Sequence, residues 1–253
     1  MFLKVDKYFL KINGSNHSLN ENRIVSMDLK KHYDILYKES IEKIVADTYH
    51  IEHEIDSPSD HRFGLTLLIR PDSQTKNRIQ AFLNELKEID PDQYYYPDSD
   101  IHITVLSIIS CYDGFDLATI SLPDYVAVIE KSLVGIHDLE INFQGITASP
   151  SAIMLQGFPN TNSLNDLRNK LRVNFKESGL EESIDKRYAI QTAHSTVARF
   201  RKPIENKEKL IAILEKHRDF NFGKVKVESC YLVYNDWYQR EKWVKELKEF
   251  KLG

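Results

Sequence analysis

DIHITVLSI at residues 100–108 and TAHSTVARF at residues 192–200 decide the reading of this chain. Each sets a histidine, one spacer and a threonine at the head of a run rich in β-branched and apolar residues, the composition of a strand. In a strand, residues two apart point the same way. His102 and Thr104 therefore share one face, and so do His194 and Thr196. The opposite face carries Ile101, Ile103 and Val105 in the first stretch and Ala193, Ser195 and Val197 in the second, and these can bury. Each strand thus presents an imidazole beside a hydroxyl on a single surface.

The surroundings of the two motifs resemble one another. Residues 62–71 read as a strand stopped by Pro71, and 72–90 as a helix with Ile79, Phe82, Leu83 and Leu86 on one stripe. The first motif strand is followed by a helix at 122–135, ended by Gly135. Residues 138–158 form a hairpin broken around Ser149 and Pro150. A helix at 160–179 leads to the second motif strand at 188–200, and another at 206–218 follows it. Residues 223–236 alternate as one strand, and the tail at 240–252 fits a helix or a strand. From residue 62 onward the chain divides into two similar halves. Each holds a strand or hairpin, a helix, a His-x-Thr strand and a second helix. That mixed order predicts an α+β fold with two sheets. Ahead of it lie a turn-rich stretch, NGSNHSLNEN at 13–22, an amphipathic helix at 28–49 that Asp28 can cap, and a polar connector at 50–61. The expected organisation is an N-terminal extension over 1–61 and a bilobal domain over 62–253.

Composition narrows the function. The chain has 253 residues, 42% hydrophobic and 28% charged, enough for a substantial core. A net charge of -4 gives no global case for gripping long duplex nucleic acid, but it leaves room for a nucleotide or a short RNA end in a local basic pocket. Two cysteines, Cys111 and Cys230, make no disulfide framework and read as buried thiols. No apolar run approaches the ~20 residues that span a membrane, and the first residues are too broken by Lys and Asp for a secretory core. The expectation is a soluble, cytoplasmic protein with no membrane association.

Two imidazoles facing each other across a cleft suit the cleavage of a phosphodiester. One side needs a base and the other an acid, and histidine titrates close enough to neutrality to be either. Threonine hydroxyls can donate to the non-bridging phosphate oxygens. Such chemistry needs no metal and no cofactor. Against it stands chance: nine histidines and an ordinary threonine content produce some His-x-Thr pairs with no chemical role. The strand context and the matching surroundings in both halves tip the balance.

With these residues in view, the chain resembles the two-histidine (2H) phosphoesterase superfamily, which includes the 2′-5′ RNA ligase and cyclic phosphodiesterase group. IHITVLS resembles its first motif and AHSTVARF its second, with Arg199 three residues after the threonine. CYLVYND at 230–236 resembles its late strand and turn. The likeness covers roughly 62–253 and leaves out the first sixty residues. The second motif departs in two places: Ala193 stands where a proline is common, and Ser195 where an aliphatic residue is usual. The resemblance implies two pseudo-symmetric lobes with antiparallel sheets around a central groove. It also implies that His102 and His194 are the acid–base pair and that Thr104 and Thr196 hold the phosphate. The implied activity is hydrolysis of a 2′,3′-cyclic phosphate or a related phosphodiester on a nucleotide or RNA end. The alternatives are a 2′-5′ oligonucleotide or cyclic oligonucleotide as substrate, RNA ligation, or a nucleotide-binding module without turnover. A further role, recruitment of a protein partner by the extension, has no named partner.

Further residues are candidates for substrate contact. Strand alternation puts Arg199 and Arg201 on the face opposite His194, where they would form salt bridges; a bulge would bring them to the phosphate instead. Tyr96, which shares a face with Tyr94 in the run YYY at 94–96, can stack a base, and Tyr238 and Trp237 in NDWYQR can line the groove. HIEHE at 50–54, with His61 nearby, invites a metal reading, but no second cluster completes a zinc ligand set, and a solvated connector is the simpler account.

Overall fold

A computed structural model describes residues 28–180, 183–184 and 189–252 of the chain. The turn-rich stretch at 13–22 and the start of the expected second motif strand lie outside the described residues. Helix α1 (Leu29–Val45) begins at Asp28, whose side chain accepts from the Lys31 N–H at 3.1 Å. Strand β1 (Arg62–Ile69) runs to Pro71, and Asp72 then caps helix α2 (Ser73–Ile89) through the Thr75 N–H at 2.7 Å. A two-residue strand, β2 (Tyr94–Tyr95), precedes β3 (Ile103–Asp113) and helix α3 (Leu122–Leu133). The hairpin β4 (Glu140–Ser149) and β5 (Ala152–Pro159) leads to helix α4 (Ser163–Ser178), which ends at Gly179 in the left-handed region. Strand β6 (Ser195–Arg199), helix α5 (Lys207–Lys216) and strands β7 (Asn221–Lys226), β8 (Ser229–Asp236) and β9 (Lys245–Lys251) complete the order.

The strands form two antiparallel sheets, β3-β1-β8-β9 and β2-β6-β5-β4-β7, each containing one His-x-Thr strand. The fold is α+β and bilobal, as expected. The lobes, however, are not the two halves of the chain. The segment read as one strand over 223–236 is two strands in different sheets: β7 pairs with β4, whereas β8 returns to pair with β1. Both pieces alternate apolar and polar residues and no glycine or proline separates them, so the break at Val227–Glu228 has no local signal. The ambiguous tail is β9, an edge strand on β8 with mostly exposed, charged side chains, which discourage further pairing.

The helices cross over as well. Helix α2, which links β1 to β3 of the first sheet, packs with α5 against β7 and β6 of the second. Helix α4, which links β5 to β6 of the second sheet, packs with α3 and against β3 of the first. Each lobe is therefore completed by a helix drawn from the connection within the other. Helix α1 lies on β4: Tyr33 and Ile44 are fully buried, Ser40 Oγ donates to the Ala148 carbonyl at 2.9 Å, and Thr147 Oγ1 donates to the Tyr33 carbonyl at 2.9 Å. Tyr37 and Ile44 join a core cluster that takes in residues of both sheets. Cys111 and Cys230 are buried thiols that form no disulfide. Among the described residues, no helix is long and apolar enough to cross a membrane.

Candidate active site

Both histidines occupy the residue just before an assigned strand, His102 before β3 and His194 before β6. The second strand is shorter than its sequence suggests, because residues 189–194 run irregularly across Gly157 of β5. Backbone approaches backbone so closely there that a Cβ on Gly157 would stand 2.0 Å from the Ala193 carbonyl oxygen. The alternation within each motif is kept. Ile101, Ile103, Val105, Ala193, Ser195 and Val197 are buried, while His102, Thr104, His194 and Thr196 line one cavity between the two sheets.

Bulges widen what that cavity can use. On β3, Leu106 pairs with Leu67 and Thr104 with Leu68, so Val105 is an extra residue in the ladder. On β6, Ala198 pairs with Ile153 and Thr196 with Met154, so Val197 is the extra residue. The two bulges follow the two motif threonines directly. On β6 the bulge shifts the parity, so Arg199 lines the cavity instead of turning away. On β3 a second irregularity, at Ile108, adds to the first, and Thr104, Ser107 and Ser110 all face the cavity at three-residue spacing. Neither serine is legible as a site residue from a period of two.

The imidazoles are held from behind. His102 Nδ1 lies 2.7 Å from the Asp100 carbonyl oxygen. A carbonyl only accepts, so Nδ1 carries the proton and Nε2 keeps its lone pair. His194 Nδ1 lies 2.6 Å from Thr192 Oγ1. Tyr33 of α1 stands behind that pair, its hydroxyl donating to the Gly157 carbonyl at 3.2 Å and accepting from the Gly157 N–H at 3.3 Å. Burial is the main cause that holds both imidazoles neutral, lowering His102 to about 4 and His194 to about 3. Positive charge adds to it: Arg70 and Arg199 oppose protonation of His102, and Arg168 and Arg199 oppose protonation of His194, where a proton on His102 or His32 would act the same way.

Arg199 Nε donates to Tyr96 Oη at 2.9 Å, and Nη1 lies 3.2 Å from Glu52 Oε1. Tyr238 Oη donates to Glu52 Oε2 at 3.3 Å. Glu52, in the segment expected to be a polar connector, thus braces two cavity residues. Tyr96 and Tyr238 both line the cavity, with Trp237. The Tyr96 ring, 1% exposed, is packed edge-on against Tyr94 at 5.1 Å. Its hydroxyl accepts from Arg199, and its ring is buried where the sequence reading has it stack a base. Arg201 is not brought to the cavity. It lies beyond the end of β6, where its Nε donates to the Asp92 carbonyl at 2.6 Å and its Nη1 pairs with Asp56 at 3.3 Å, the salt-bridge reading. Among the described residues, no three His, Cys, Asp or Glu side chains group to hold a metal, and His50, His53, Glu54 and His61 are no exception. Asn235 and Gln239 complete the polar lining, and neither carries a sequence signal.

Comparison with known proteins finds relatives of this fold. The family model of the AKAP7 2'5' RNA ligase-like domain matches residues 65–242, more than half of the chain. Among solved structures, TT0787 of Thermus thermophilus superposes with a TM-score of 0.56 at 17% identity, covering 75% of this chain and 97% of that one. E. coli LigT complexed with 3'-AMP superposes with a TM-score of 0.53 at 15% identity, covering 76% and 98%. A structure described as a phosphoesterase gives 0.51 at 14%, covering 75% and 98%. At these identities the likeness is one of fold. No curated protein matches the chain in sequence. The chain belongs to the AKAP7 2'5' RNA ligase-like domain family, within the 2H phosphoesterase superfamily.

Proposed function

We propose that the protein is a metal-independent phosphodiesterase that opens a 2′,3′-cyclic phosphate, or cleaves a related phosphodiester, on a nucleotide or RNA end. The observation that carries this reading is the convergence of His102, Thr104, His194 and Thr196 on one cavity from two different sheets. His102, with its Nε2 lone pair free, acts as base and takes a proton from the attacking water. The water oxygen bonds to phosphorus as one ribose P–O bond breaks. His194, protonated in the loaded site, gives its proton to the departing ribose oxygen, so the pair ends with the proton exchanged between its members. The threonine hydroxyls donate to the non-bridging oxygens, and Arg199 offsets their negative charge.

Burial favours the neutral form of both imidazoles, and a phosphodiester anion between them favours the charged form. Loading the site therefore arms the acid. That E. coli LigT forms a complex with 3'-AMP supports a ligand of nucleotide size. The test is incubation of wild type, His102→Ala and His194→Ala with the four 2′,3′-cyclic nucleotides and a 2′-5′ linked oligonucleotide in EDTA, with products resolved by chromatography. Turnover by wild type and a loss of about 10²–10⁴-fold in each variant is the expected result. Equal rates in wild type and His102→Ala would overturn the mechanism, and a requirement for added metal would overturn the metal-independent chemistry.

A further inference from the structure

We propose that Arg168 is a positioning residue whose guanidinium locks the two His-x-Thr strands, one from each sheet, in the facing arrangement that the reaction needs. The inference rests on the phosphodiesterase reading above. Arg168 follows Leu164 by four residues and precedes Leu171 by three, so it sits on the apolar stripe of α4, and its side chain is fully buried. Its Nε donates to the Val105 carbonyl at 2.9 Å. Its Nη2 donates to the Thr104 carbonyl at 2.9 Å and to the Thr192 carbonyl at 2.8 Å, while Nη1 lies 3.5 Å from Asn165 Oδ1.

Two of these carbonyls belong to parts of the site that regular sheet pairing does not hold. Val105 is the bulge residue after the first motif threonine, and Thr192 lies ahead of β6. Buried carbonyls without a ladder bond are costly, and one rigid planar fork here satisfies those of Val105 and Thr192 while also reaching the carbonyl of Thr104. The fork joins Thr104, a residue of the catalytic set, to Thr192, whose hydroxyl holds His194 Nδ1 at 2.6 Å. An ammonium group has no fixed fork with which to hold the same three acceptors. Arg168 also carries charge to the site. Of the groups that face His194 (Arg168, His102, Arg199 and His32), it acts most strongly in keeping that imidazole neutral.

The test compares wild type with Arg168→Lys, Arg168→Gln and Asn165→Ala. It reads kcat and KM on the cyclic nucleotide that wild type turns over, and the His194 imidazole titration by NMR, with rates normalised to the folded fraction. Arg168→Lys should lower kcat about 100-fold with KM nearly unchanged, as expected for a displacement of catalytic groups on the order of 1 Å. Arg168→Gln should do the same and also raise the pH at which His194 titrates. Asn165 is exposed and loosens only the Nη1 end, so Asn165→Ala should fold and lower kcat several-fold; it carries the test if the Arg168 variants do not fold. Wild-type kcat in the folded variants, with a lowered melting temperature alone, would overturn the proposal and leave Arg168 a core residue. A wild type without turnover would overturn the phosphodiesterase reading instead. The His194 titration in Arg168→Gln then still decides whether Arg168 acts on His194, and an unchanged titration overturns the proposal.

Discussion

Gly157→Ala would drive two backbones of the candidate site into collision. The added Cβ would stand 2.0 Å from the Ala193 carbonyl oxygen, 2.8 Å from its carbon and 3.1 Å from its Cβ. Normal contact demands that one backbone retreat by roughly 1 Å or more, a displacement of the size that costs about 100-fold when it reaches a catalytic group. Strand β5 is the less able to move. Gly157 is paired with Phe143 of β4, and its N–H and carbonyl are both bonded to the Tyr33 hydroxyl. The segment that yields is the irregular run before β6, and His194 is the next residue along. The expected outcome is a fall in kcat of about 100-fold together with a loss of about 1–3 kcal/mol of stability from overpacking. Turnover of a 2′,3′-cyclic nucleotide and urea unfolding at pH 7 measure the two quantities. A variant that loses stability yet keeps wild-type kcat would show that Ala193 retreats without carrying His194, and the coupling of Gly157 to the site would be refuted.

Three further outcomes are expected. Because burial holds His102 and His194 well below the ordinary imidazole pKa of about 6.5, the unfolded chain takes up protons that the native chain refuses as pH falls from about 6.5 towards 4. Stability is then lost in that window, by about 2 kcal/mol per imidazole at pH 5. Urea midpoints at pH 7 and pH 5 for wild type and His194→Gln check this, and equal acid sensitivity in the two proteins counts against it. The Ser195 hydroxyl is buried with no hydrogen-bond partner among the described residues, so Ser195→Ala should leave stability unchanged or raise it by up to about 1 kcal/mol. A lower melting temperature would contradict that. Removing Glu52, which braces Arg199 and Tyr238, leaves a largely buried guanidinium without its carboxylate. Glu52→Ala should cost about 3 kcal/mol in urea unfolding, and a change within 0.5 kcal/mol, roughly that of an ordinary surface substitution, would show the brace to be dispensable.

The elements with strong local signals emerge as the sequence predicts. Helices α1, α2, α3, α4 and α5 follow their apolar stripes and caps, and the β4–β5 hairpin turns at Ser149–Pro150. The two His-x-Thr motifs are legible for the same reason, since a period of two places histidine and threonine together without any knowledge of the partner strand. One long-range feature left a trace in the sequence. Arg168 interrupts the apolar stripe of α4, and a cation in that position asks what it could be bonded to.

The legible features are therefore local: the helices, the strand faces, and the chemistry that two imidazole–hydroxyl pairs can perform. Assembly belongs to the folded molecule alone. The crossing of α2 and α4 between lobes, the return of β8 to β1, and the braces Glu52 and Tyr33 all depend on contacts between residues far apart in the chain. The bulges at Val105 and Val197 are of the same kind, because an extra residue is defined only against the strand beside it. Those two residues help to turn Ser107, Ser110 and Arg199 into the cavity, and no periodicity within a single strand encodes where its neighbour falls out of step.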